Sequence, residues 1–321
     1  MADAEGTGGV DLGGTKIQTV VLRDGEVVGS ARVPTPQTGA ADDVIDAIAD
    51  TIHAALEQAA LEPPDLRAVG VGTPGEIDSA AGVVSLAANV PGFADRVELG
   101  PMLSKSLNGI PVTIDNDVRV GVLGEFKRGA GRPYRNLFGV WVGSGVGGGL
   151  VLDGELYDGR GAAGEIGHAV VVPDGRVCSC GRRGCLEAYA GRVRMEERAR
   201  ELHRSGKKTI LFKVMKERNS ARLSSGVFAS ALKKGDKMAA QLIDEAASAL
   251  GFALASAQNV LDLEAIMVGG GLGDRLGQPF VDQIADQMAP HLFTPDKPPR
   301  MLTTELRDLS GAVGAAVRAG G

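Results

Sequence analysis

Short β-branched apolar runs broken by turn residues stand out near the start of the chain. Residues 17–22 and 26–33 are β-branched runs separated by Asp24-Gly25, and this pattern predicts a β-hairpin. An earlier strand over 8–12 closes at Gly13-Gly14. The period then changes. In "AADDVIDAIADTIHAALEQAAL" apolar residues recur every three or four positions, which predicts an amphipathic helix ended by Pro63-Pro64. "LRAVGVGTP" reads as a buried strand running into a loop. "PVTIDND" reads as a short strand leading into the helix "VRVGVLGEFKRG".

The same order of pattern returns at "NLFGVWVGSGVGGGLVLDGEL": an apolar strand, a glycine turn carrying a small hydroxyl residue, and a second strand. It reads as a weak internal duplication. Residues 192 to about 260 are helical with charged faces. "AIMVGGGLGDRL" predicts a buried strand, a glycine turn and a helix start. The last residues, "SGAVGAAVRAG", predict a short helix capped by Ser310. A boundary is expected in the stretch 118–135. The expected domains are a small α/β domain over 1–118 joined by a C-terminal helix at about 306–321, and a large α/β domain over 119–305.

Composition narrows the class. The chain has 321 residues, 44% of them hydrophobic, so it has ample length for packed cores. Its 47 glycines fall in short clusters rather than a fixed period, which suits tight turns and phosphate loops. A net charge of -6 lacks the basic footprint of a nucleic-acid binder. The first ten residues do not read as a secretory leader, and no apolar run approaches the ~20 residues of a spanning helix. The expectation is a cytoplasmic protein without membrane or nucleic-acid partners.

All three cysteines, Cys178, Cys180 and Cys185, fall within "RVCSCGRRGCLEAY". Three thiols cannot pair among themselves. Amid Gly and Arg they suit a metal better than a core, although packed free thiols are the alternative. They lack one ligand of the tetrahedral set that structural Zn²⁺ takes. Of the four histidines, His53, His203 and His291 lie in or beside helical stretches. His168, in "GAAGEIGHAVVV", is the natural fourth ligand. A closed Cys3His site would pin "GEIGH" beside "CLE", bringing Glu165 near Glu187.

"VDLGGTK", "DND", "GAAGEIGH" and "CSCGRRGCLE", in this order, resemble the ROK family of sugar kinases and sugar-responsive repressors, and most nearly its bacterial glucokinase branch. The match spans nearly the whole chain. It implies a two-domain actin/hexokinase-like (ribonuclease H-like) α/β fold with an interdomain cleft, commonly a homodimer or homotetramer. It implies zinc on His168, Cys178, Cys180 and Cys185, in agreement with the cysteine spacing. It further implies a sugar held by Asn89, Asn116, Asp117, Glu165, His168 and Glu187, with ATP and Mg²⁺ as cofactors.

Carboxylates and amides suit pairs of sugar hydroxyls and reject epimers by leaving buried groups unpaired. Asp117 is the candidate base for the attacking 6-hydroxyl; its plainer role would be to cap the helix at 118. Asp115 is the rival. Gly13, Gly14 and Thr15 suit a first phosphate loop, with Asp11 as the Mg²⁺ anchor. Lys16 either adds charge or faces solvent. Ser144, Gly145, Gly147 and Gly148 suit a second phosphate loop, with Ser standing where the family more often has Thr. Gly270 and Gly271 suit the adenine pocket. Ordinary glycine hairpins are the alternative for both loops. There is no G-x4-G-K-[ST] pattern. The reading is a glucokinase, with N-acetylglucosamine, N-acetylmannosamine, fructose or mannose as other acceptors and polyphosphate as another donor. A sugar-sensing regulator is the non-enzymatic alternative; the ten residues before Asp11 leave no room for its helix-turn-helix. The stretch at about 205–237 carries no assignable motif.

Overall fold

The computed structural model describes residues 6–321. The chain divides into two compact units: unit 1 runs to Pro133 and resumes at Glu305–Gly321, and unit 2 is Tyr134–Thr304.

Unit 1 opens with β1 (Gly6–Leu12), β2 (Lys16–Arg23), β3 (Glu26–Pro34) and α1 (Ala41–Ala59), followed by β4 (Leu66–Thr73). A small ribbon of β5 (Glu76–Asp78) and β6 (Val83–Ser85) precedes α2 (Leu99–Ser106), β7 (Val112–Asn116) and α3 (Asp117–Arg128). Asp24 and Gly25 both take positive φ, 52° and 82°, as a tight turn between right-twisted strands requires. Helix α1 buries Ile45, Ile48, Ile52 and Leu56 along one stripe. It ends at Ala60 in the left-handed conformation, before the expected stop at Pro63-Pro64.

Unit 2 contains β8 (Leu137–Val142), β9 (Val146–Leu152), β10 (Glu155–Tyr157), α4 (Glu187–Ala190), α5 (Arg192–Arg204), α6 (Leu211–Glu217) and α7 (Ser225–Lys233). The 25-residue α8 (Lys237–Leu261) runs through its core. β11 (Ala265–Gly269), α9 (Gly270–Leu276), α10 (Gln278–Met288) and β12 (Arg300–Thr303) complete it. The chain then returns to unit 1 as α11 (Ser310–Gly320).

The two five-stranded sheets share one topology. Their orders are β3-β2-β1-β4-β7 and β10-β9-β8-β11-β12. In each, an antiparallel three-strand meander is extended by two parallel strands. The repeat that is faint in the sequence is plain in the strand order.

One face of the first sheet packs Val10, Leu12, Ile17 and Val21 against α1 and α2. The other packs Val20 and Leu22 against Ala312, Val313 and Ala316 of α11. Glycines let α11 approach this closely. A Cβ on Gly9 would strike the carbonyl of Ala312, one on Gly70 that of Ala315, and one on Gly314 that of Val120 in α3. Because α3 packs on α11, it belongs to unit 1, and the break falls at Pro133/Tyr134, inside the expected stretch 118–135 and after α3 rather than before it at 118/119.

Ser310 is not the cap expected of it. The N-cap of α11 is Leu309, without a side-chain bond, and the Ser310 hydroxyl donates instead to Glu125 Oε1 at 2.8 Å. Glu125 is fully buried. Its carboxylate also accepts from the backbone N–H groups of Ala130, Glu305 and Leu306 at 3.1, 3.0 and 2.8 Å. The segments where the chain leaves and re-enters unit 1 are thus both tied to one carboxylate. Among the described residues, no helix is long and apolar enough to cross a membrane.

Candidate active site

Parallel strands present their carboxyl ends along one edge of a sheet, and that edge is where open α/β sheets bind ligands. In unit 1, Asp11 of β1 pairs in register with Gly72 of β4, which pairs with Asp115 of β7. A Cβ on Gly72 would lie 3.4 Å from the Cα of Asp117. Asp11 and Asp117 therefore flank Gly72 at this edge.

The DND run divides its work. Asn116, not Asp117, caps α3: its Oδ1 accepts from Val118 N and Arg119 N at 3.0 and 3.1 Å. Asp117 is the first helical residue. Asp115 is only 2% exposed and lies 3.5 Å from Arg119 and 3.1 Å from Arg318. These two ion pairs tie Asp115 of β7 to α3 and α11.

The first glycine loop is held by its carbonyls. Thr35 Oγ1 donates to Gly13 O at 2.6 Å, Thr35 N–H to Thr15 O at 3.2 Å, and Gln37 Nε2 to Gly14 O at 3.1 Å. Gly14 has a packing reason to lack a side chain, because a Cβ there would strike the carbonyl of Asn89. The first glycine loop and the exposed Asn89 thus lie together. Lys16 pairs with Asp308 at 3.6 Å, and Arg32 shares the same carboxylate at 3.4 Å. Burial pushes the Asp11 carboxyl above its ordinary range, with Lys16 pulling the other way. A desolvated carboxylate at a ligand-binding edge fits a cation.

In unit 2 the second glycine turn is only Gly143–Gly145. Gly147 and Gly148 lie within β9, opposite Trp141 and Val140. A Cβ on Gly148 would strike the Phe138 ring and the carbonyl of Gly164, so this glycine makes room for the GEIGH loop. Gly167 of that loop sits on the Val146 carbonyl, which leaves no space for a Cβ. Gly270 takes φ 79° against the backbone of Val142, and Gly271 follows it in α9.

Glu187 joins the parts of unit 2. Its Oε2 accepts from Val146 N at 3.0 Å, just past the glycine turn. Its Oε1 accepts from Ser179 Oγ and lies 3.8 Å from Cys178 Sγ. Glu165 is exposed at the start of the short 3-10 helix Ile166–His168.

The structure gathers the four expected metal ligands: one ligand atom each from His168, Cys178, Cys180 and Cys185 falls within a 4.8 Å set. Cys180 Sγ and Cys185 Sγ are 3.8 Å apart, and Cys178 Sγ is 3.8 Å from His168 Nδ1. A tetrahedron with bonds of about 2.3 Å has edges of about 3.8 Å, which these two separations match, so the donor set fits Zn²⁺. Hydrogen bonding from Arg182 lowers the exposed Cys180 thiol to about 6, whereas burial pushes Cys185 up to about 12. Nδ1 is the ring nitrogen that faces the thiols, which leaves Nε2 outside the cluster.

A family model described as "ROK family" matches residues 7–320. The chain belongs to the ROK family. Among ROK relatives, the glucokinase of Thermotoga maritima is 34% identical over 88% of each chain. The N-acetylmannosamine kinase of Pasteurella multocida is 29% identical over 88% of this chain and 87% of that one. A ROK glucokinase of Streptomyces griseus, solved with glucose and AMPPNP, superimposes with a TM-score of 0.80 at 30% identity, covering 98% of this chain and 99% of that one. A ROK transcriptional regulator also superimposes with a TM-score of 0.80 at 25% identity, over 98% of this chain and 77% of that one. The fold is the two-domain actin-like fold of ROK hexokinases and glucokinases.

Two residues that sequence reasoning missed matter here. Glu125 reads as a surface charge of a helix, and three of its partners, Glu305, Leu306 and Ser310, lie about 180 residues away. Arg192 opens α5 and donates to Ser144 Oγ at 2.8 Å. Its only sequence signal is an arginine following the cysteine cluster.

Proposed function

We propose that the chain is an ATP-dependent hexose kinase of glucokinase type, converting glucose and ATP to glucose 6-phosphate and ADP. The observation that carries this reading is the division of labour in the DND run. Asp115 is spent on Arg119 and Arg318, while Asp117 stands with Asp11 about Gly72 at the ligand-binding edge.

In this reading Asn89, Asn116, Asp117, Glu165, His168 and Glu187 hold the sugar hydroxyls. The cap role of Asn116 occupies its amide oxygen, so its NH₂ donates to the sugar. Asp117 accepts the proton of the 6-hydroxyl as its oxygen bonds to the γ-phosphorus. The bond from that phosphorus to the bridging oxygen breaks, and ADP leaves with both electrons. Gly13, Gly14 and Thr15 form one phosphate loop and Ser144 and Gly145 a second, with Gly270 and Gly271 as the adenine-binding residues. Asp11 is the residue that would hold Mg²⁺, which would offset the phosphate charge when bound. A structural Zn²⁺ on His168 Nδ1 and the three sulfurs would fix the GEIGH and CLE segments. We further read the protein as a cytoplasmic homodimer or homotetramer.

The N-acetylmannosamine kinase relative supports an N-acyl sugar as the second acceptor class. ADP release from Mg·ATP, measured against glucose, mannose, fructose, N-acetylglucosamine and N-acetylmannosamine, tests both. Preference for glucose supports the first reading. Turnover only with an N-acyl sugar replaces it with the second. No turnover with any sugar favours the regulator likeness and overturns both.

A further inference from the structure

The turn between β8 and β9 is gripped from one side by the start of α5. Arg192 N–H donates to Gly143 O and Val193 N–H to Ser144 O, both at 3.1 Å. The Arg192 side chain follows: Nη2 donates to Ser144 Oγ at 2.8 Å and Nη1 to Leu223 O at 3.3 Å. Both acceptors are neutral. A guanidinium has five N–H donors, so this one has capacity beyond these two bonds.

The charge of Arg192 is only partly compensated. The side chain is half-buried, and the loss of hydration pushes its pKa below the usual arginine value; the Glu196 charge opposes this and Arg222 adds to it. Among the described residues, no carboxylate lies within 4.0 Å of it. The acid one turn along, Glu196, is already taken: its Oε1 accepts from Arg200 and its Oε2 from Leu223 N. A half-desolvated cation without an ion-pair partner is costly unless an anion arrives. The same turn also receives the Glu187 carboxylate, on Val146 N. The turn therefore meets both an acceptor of hydroxyls and a fixed cation.

We propose that Arg192 is a phosphate-binding residue of this site, whose guanidinium holds the phosphate chain of the nucleotide against Ser144. The proposal rests on the nucleotide reading of the turn. A fork of N–H donors supplies charge and direction together, which a glycine turn alone cannot. The competing role is purely architectural: Arg192 would only tie α5 to the segment ending at Leu223.

The test is calorimetric titration of the full chain with adenosine, Mg·ADP and Mg·AMPPNP, using the parent, Arg192→Gln and Arg192→Lys. Arg192→Gln keeps a donor for Ser144 and removes the charge, so it preserves the turn better than alanine does. The expected result is a loss of about 30-fold or more for Mg·AMPPNP in Arg192→Gln, with adenosine changed less than about 2-fold and partial recovery in Arg192→Lys. The KM for sugar stays near the parent value. Equal weakening of adenosine and AMPPNP would assign Arg192 the architectural role and overturn the proposal; so would unchanged AMPPNP binding. If the parent binds no nucleotide at all, the reading of the turn falls and the proposal falls with it.

Discussion

The main-chain carbonyl of Asn89 occupies the space that a side chain on Gly14 would need. A loop assigned to the nucleotide and a residue assigned to the sugar are therefore packed against each other within unit 1. Gly14→Ala should displace both, at a cost of about 1–3 kcal/mol in stability. Steady-state kinetics should show both KM values raised. A variant with altered KM for ATP and an unchanged KM for sugar would break the link.

Asp115 and Asp117 should fail differently. Asp117→Asn is expected to lower kcat by about 10²–10⁴-fold with little change in KM or melting temperature, because Asn116 supplies the cap. Asp115→Asn leaves Arg119 and Arg318 without their carboxylate and should cost about 3 kcal/mol in stability. Melting curves and initial rates on the pair separate the roles. An active Asp117→Asn would reassign the base.

Asp11 gives a stability signature with a defined sign. Its carboxyl has a raised pKa in the fold, caused by burial. The folded state therefore holds that proton to higher pH than the unfolded chain does. Stability is lost as pH rises from the ordinary carboxylate value through the raised one. Asp11→Asn removes that loss. Thermal melts should place the variant above the parent at pH 8, with the gap closing below about pH 4, where the carboxyl is protonated in both states. Activity should fall at every pH. A gap independent of pH would show that the carboxylate is not strained.

Metal removal should act through Glu187. Its carboxylate receives Ser179 from the middle of the cysteine cluster, beside Cys178. Emission spectroscopy should find one zinc per chain. Cys185→Ser, at a fully buried ligand, should lower both zinc content and melting temperature. The KM for sugar should rise more than that for ATP. Full activity and stability in a zinc-free preparation would remove the metal from the site.

Local chemistry was legible in the sequence wherever the signal and its cause are neighbours. Asp24-Gly25 announces its hairpin because both residues must accept positive φ, and both do. The period of Ile45, Ile48 and Ile52 announces α1. Ligand spacing announces a cluster that the fold assembles with three sulfurs and one imidazole. Legibility ended where the partner is remote. Ser310 looks like a cap by every local rule, but a buried carboxylate from α3 takes its hydroxyl. Gly14 and Gly148 look like phosphate glycines, yet each is also required by a neighbouring backbone. The break lies inside the expected stretch 118–135, but α3 stays with unit 1 because glycines in α3 and α11, far apart in sequence, interlock.

The place of α11 bears on how the protein is made. Unit 2 is one uninterrupted stretch, whereas unit 1 is finished only by residues 305–321. When a ribosome has translated as far as Thr304, the whole of unit 2 has been synthesised. The sheet synthesised first still lacks the helix that covers Val20 and Leu22, and its glycine-lined slot stands open. Domains fold as units while the chain emerges, so the earlier domain is the last to close. Until then its apolar seam is exposed to chaperones and to neighbouring nascent chains.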